Sequence, residues 1–131
     1  MKNFFVIILV SLFTFKSYSQ LQKANKFAKT ITAQELKDHL YIYASDEFEG
    51  RNTGAEGQKK AVEYLRNFYI ENEIEPGDLD DKDYFQKMTL NISRGDEGKV
   101  DSENVIAIIE GTEKPDEYLI LTAHLDHVGY G

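Results

Sequence analysis

Residues 118–131 read YLILTAHLDHVGYG, and the choice of fold depends on them. Leu119, Ile120 and Leu121 lead through Thr122 and Ala123 into His124, Asp126 and His127. A short apolar run bounded by turn formers predicts a strand, and a nearly all-aliphatic strand predicts cover on both faces. Residues two apart on a strand point the same way, so His124 and Asp126 share one side while Leu125 turns toward the core. Ligands in open α/β sheets gather at the carboxyl ends of strands, where His124 sits. A metal-bound imidazole commonly gives its other N–H to a carboxylate, which gives a His–Asp pair at this spacing a chemical use.

Working upstream, SENVIAIIEG and DYFQKMTLNI predict two further strands, separated by the turn-forming stretches TEKPDE and SRGDEGK. Before them, Ala61, Val62, Leu65, Phe68 and Tyr69 recur at three- and four-residue spacing from about Glu56 onward. That pattern predicts an amphipathic helix, which Pro76 and Gly77 end. The stretch SDEFEGRNTGAEG is too rich in glycine and turn formers for a regular element and predicts a structured loop. Thr32 followed by Glu35 is a capping box, and Ile31 with Leu36 has the spacing of a hydrophobic staple, so a helix is expected from about Thr32 to Ala44. Helix, helix, then strands is the order expected at the start of an α/β sandwich.

The N-terminal stretch MKNFFVIILVSLFTFKSYSQ has a basic Lys2, an apolar run from Phe4 to Phe15, and small residues Ser17 and Ser19. This is the pattern of an export signal, with residues 1–19 removed and Gln20 first in the mature chain. The run falls short of the roughly 20 apolar residues that cross a bilayer, so no transmembrane anchor is expected. The 131-residue chain carries a net charge of -8. Losing Lys2 and Lys16 leaves 13 basic against 23 acidic residues, a charge of -10 that repels phosphate backbones and argues against a nucleic-acid partner. There is no cysteine, so a metal site must use histidine and carboxylates.

Other candidates carry less. His127 lies past the strand, where its direction cannot be read from spacing, and His39 fits the first helix as a structural residue. The acids from Glu71 to Asp83 read as a solvated face with no calcium-loop spacing. Asn91 to Ser93 matches a glycosylation acceptor only as a common three-residue pattern.

The segments ASDEFEGRNTGAEGQKKAVEYL, SENVIAIIEG and YLILTAHLDHVG, in that order, resemble the N-terminal part of the co-catalytic di-zinc aminopeptidases. That family includes secreted leucyl aminopeptidases, aminopeptidase Y and the glutamate carboxypeptidase relatives. The resemblance runs from about Ala44 to Gly131 and departs from a frequent pattern at Ala55 and Glu56. It implies a three-layer sandwich with a mixed β-sheet flanked by helices, two zinc ions and a peptide substrate. By position, His124 matches a zinc-ligating histidine and Asp126 the carboxylate that orients it, while His127 matches no general ligand. The remaining ligands and the general base are expected beyond Gly131, so residues 20–131 are expected to be an incomplete catalytic domain, exported to the periplasm or beyond. The alternative is a non-catalytic exported fragment. ILTAHLDHVG also resembles the H-x-H-x-D-H-x-G-G motif of the metallo-β-lactamase fold, but that alignment puts its first histidine at Thr122 and its last glycine at Tyr130.

Overall fold

A computed structural model describes residues 22–77, 82–92 and 98–130. The expected export signal, the acids at 78–81 and Ser93 lie outside them. The chain forms two compact units, Met1–Ile42 and Tyr43–Gly131. It is a mixed protein of helices and small antiparallel sheets.

In the first unit, residues 22–28 are helical and are called α1 here. Helix α2 spans Ala33–Tyr43, close to expectation, and its last residue opens the second unit. Thr32 caps it, its Oγ1 accepting the Glu35 N–H at 3.1 Å. The staple pair Ile31 and Leu36 is exposed, and α2 buries no residue.

The second unit is built around helix α3, Glu56–Glu71. Its apolar face supplies Ala61 and Val62 to the core, where they meet Phe48 from the short 3₁₀ helix η1, Asp46–Arg51. Tyr43, Phe48 and Tyr64 form an aromatic triangle with centroids 5.7 to 5.9 Å apart. Close approach of η1 to α3 needs Gly57, where a Cβ would lie 2.0 Å from the Phe48 carbonyl oxygen. The loop then turns left-handed through Glu49, Gly50 and Arg51, with φ of 51°, 62° and 50°.

Strand β2, Phe85–Asn91, pairs antiparallel with β3, Lys99–Val105, from Phe85 opposite Val105 to Asn91 opposite Lys99. A two-residue β1, Glu75–Pro76, pairs antiparallel with β4, Ala107–Ile108. The single strand expected over SENVIAIIEG is therefore split at Ile106. Its N–H donates to the Tyr84 carbonyl at 2.8 Å and its own carbonyl accepts from Gly77 at 2.9 Å, so the chain changes neighbour at that residue. Helix α3 is tied to the hairpin by Lys59, whose Nζ reaches the Asp101 carbonyl at 2.9 Å and Glu103 Oε2 at 2.5 Å.

The third expected strand does not form: no strand covers residues 118–124, and Leu119 and Leu121 are 88% and 87% exposed. Both readings of this run, a strand and a segment covered on two faces, are corrected. A strand exists only through its ladder, and the described strands are paired with one another, leaving none beside this segment. Among the described residues no helix is long and apolar enough to cross a membrane.

Candidate functional site

The segment after the aliphatic run is ordered by the loop at η1. The Arg51 carbonyl accepts the His127 N–H at 2.9 Å and the Gly50 carbonyl accepts the Gly129 N–H at 3.0 Å, a parallel pairing that places Asn52 opposite His127. Arg51 donates Nε–H to the Leu125 carbonyl at 3.0 Å and a second N–H to the Tyr43 carbonyl, while its guanidinium lies 4.7 Å from the Tyr43 ring centroid. Tyr130 closes the far end by donating to the Asp46 carbonyl at 2.8 Å. Backbone approach this close explains Gly50, where a Cβ would lie 2.4 Å from the Gly129 carbonyl oxygen.

His124 and Asp126 are brought together, although not by the strand from which their spacing was read. His124 Nδ1 lies 2.9 Å from the Asp126 carbonyl oxygen and 3.3 Å from its Oδ1. Both partners are acceptors, so in the neutral ring the proton sits on Nδ1 and the Nε2 lone pair is free. The His124 side chain is 83% exposed, so that lone pair is accessible. Leu125 is half-buried and not in the core. His127 is exposed and joins the site through its backbone, and His39 lies on α2.

Asp126 has a further partner that strand spacing cannot reveal. Thr53, in the turn between η1 and α3, donates its hydroxyl to Oδ2 at 2.6 Å. That bond is the main cause holding the Asp126 carboxyl below the ordinary carboxylate range; burial pushes the other way, and His124 adds to the lowering. Thr53 and Arg51 stand in the segment RNTG that carries part of the family resemblance, and that was the signal available for them.

The donor chemistry suits a divalent metal at one corner: an imidazole with a carboxylate on its inner nitrogen and a free outer nitrogen. Among the described residues no group of three or more histidine and carboxylate side chains is arranged to hold a metal. No family model, no curated protein and no solved structure matches the chain.

Proposed function

We propose that this chain carries one metal-ligating corner of an exported zinc aminopeptidase. The observation that supports the reading is the placement of His124 Nδ1 against two acceptor oxygens of Asp126, which turns Nε2 away from them as the donor to a metal. The family resemblance of residues 44–131 supplies the rest of the reading. His124 would hold zinc, and Asp126 would keep the proton on Nδ1 and strengthen the ring as a donor. A zinc pair, when bound, would supply Lewis-acid polarisation of a peptide carbonyl and lower the pKa of a water, so that a general base can take its proton and leave hydroxide as the nucleophile. A catalytic zinc needs about three protein ligands, and the resemblance assigns the other corners to positions other than those described. On the same reading, the complete domain is a three-layer sandwich, and the substrate is a peptide cut at its N-terminal bond.

The test compares residues 20–131 with a chain extended through the following reading frame. The extended protein should hydrolyse an aminoacyl chromogenic substrate, lose that activity to a chelator, and lose one zinc on His124→Ala. Asp126→Asn should keep its zinc when saturated and lose roughly 10 to 100-fold in affinity or activity. Equal zinc loss in the two variants would remove the positioning role of Asp126. Chelator-sensitive turnover by residues 20–131 alone would overturn the assignment of the ligands.

A further inference from the structure

Thr53 makes an unusual use of its hydroxyl. Threonine hydroxyls in turns ordinarily bond the backbone a few residues away. This one bonds a carboxylate 73 residues distant, while the adjoining N-terminus of α3, capped by Ala55, has no side-chain cap. Thr53 is itself held. The neighbouring Gly54 N–H donates to Oε1 of Gln58 at 3.3 Å, and Gln58 is 1% exposed on the inner face of α3. On the other side, Arg51 is fixed to Tyr43, Leu125 and His127 by the bonds described above.

A chain of contacts therefore runs from a buried glutamine through the turn to the exposed ring of His124. The two oxygens of Asp126 are divided between its ends, Oδ2 with Thr53 and Oδ1 with His124. The side chain of a half-buried aspartate still has several staggered rotamers open to it, and the Oδ1–Nδ1 contact selects among them. We propose that Thr53 is a positioning residue for the metal-binding histidine: its hydroxyl fixes the Asp126 carboxylate in the rotamer that faces His124, so that Nε2 is presented outward. The chemical purpose rests on the zinc reading above, while the Thr53–Asp126–His124 geometry stands without it.

The test is nuclear magnetic resonance of the isotope-labelled chain without metal, at a pH where imidazole is neutral. Three-bond couplings to the Asp126 carboxyl carbon read its χ1 rotamer, and long-range proton–nitrogen correlations read the His124 tautomer. The unsubstituted chain and Thr53→Ser should show one rotamer with the proton on Nδ1. Thr53→Val, isosteric but without a hydroxyl, should show averaged couplings and a mixture of tautomers, with the Gly129 and His127 amide resonances unmoved. Unchanged couplings in Thr53→Val, or failure of Thr53→Ser to restore them, would overturn the proposal. If Thr53→Val does not fold, the hydroxyl proton of Thr53 in the unsubstituted chain decides: slow exchange with water and a contact to Asp126 support the bond, and fast exchange removes it. Zinc added to the unsubstituted chain should shift His124 Nε2 before either other histidine. An equal response of all three would overturn the zinc reading and leave the rotamer result to judge Thr53.

Discussion

Gly50 and Gly129 meet backbone to backbone, the Gly50 carbonyl accepting the Gly129 N–H at 3.0 Å where a Cβ on Gly50 would lie 2.4 Å from the Gly129 carbonyl oxygen. Gly50 also holds φ of +62°. Alanine at 50 must therefore accept a left-handed backbone and push the 125–130 segment away. Gly50→Ala should cost about 2 kcal/mol or more by urea unfolding. Gly98→Ala, where a Cβ meets nothing within 4 Å, should stay within about 0.5 kcal/mol.

Gly57 gives a test of sign. Replacing a helical glycine by alanine ordinarily stabilises by roughly 0.5 to 1 kcal/mol. Here the added Cβ would lie 2.0 Å from the Phe48 carbonyl oxygen, so η1 and α3 must separate. Gly57→Ala should destabilise by about 1 to 3 kcal/mol in the same measurement. A gain in stability would mean that the η1–α3 contact is looser than described.

The Tyr43 hydroxyl is buried and finds no hydrogen-bond partner among the described residues. Tyr43→Phe should therefore be neutral or stabilising by up to about 1 kcal/mol. Burial, opposed by Arg51, pushes the Tyr43 phenol above its ordinary value of 10.0. A raised pKa means that the folded state holds the proton more tightly. Its stabilising effect is complete below about pH 10 and is lost as pH rises through the folded value. Unfolding midpoints measured from pH 9 to 11 should fall less steeply for Tyr43→Phe than for the unsubstituted chain.

Tyr118, Leu119, Ile120 and Leu121 form an exposed, uncharged and β-prone run. Such a run associates with copies of itself. Light scattering should show concentration-dependent association of residues 20–131, and Leu119→Lys with Leu121→Lys should suppress it while leaving the helical circular dichroism signal unchanged. A monomer across the concentration range would count against the run as an adhesive segment.

The export signal is tested by mass spectrometry of the protein recovered from the cell envelope or medium. Gln20, as such or cyclised, should be the first residue. Recovery of intact Met1 there would count against cleavage.

Local signals were the legible ones. Thr32 announced α2, and the spacing of Ala61, Val62 and Leu65 announced α3, because caps and helical periodicity act within one or two turns. The His124–Asp126 contact is also local, spanning two residues, but the strand alternation from which it was read does not form. The aliphatic run at 118–121 misled because hydrophobicity states a preference for burial but names no neighbour to satisfy it. Arg51 and Thr53 went unassigned because their partners are set by tertiary closure, which no periodicity encodes. The split at Ile106 had no signal, since the residues on either side are equally aliphatic.

Thr53 and Asp126 are 73 residues apart along the chain, whereas Thr89 and Asp101, which bond across the hairpin, are 12 apart. Closing the longer loop from an unfolded chain costs about 1.6 kcal/mol more. On that ground helix α3 and the hairpin, whose contacts are local, should form early and the histidine-bearing segment should dock last, an order that pulse-labelling hydrogen exchange would read. The same order runs backward under stress. Brief proteolysis under native conditions should release the peptide after β4 while α3 and the paired strands β2 and β3 are still protected, so the imidazole would be lost before the scaffold that aims it.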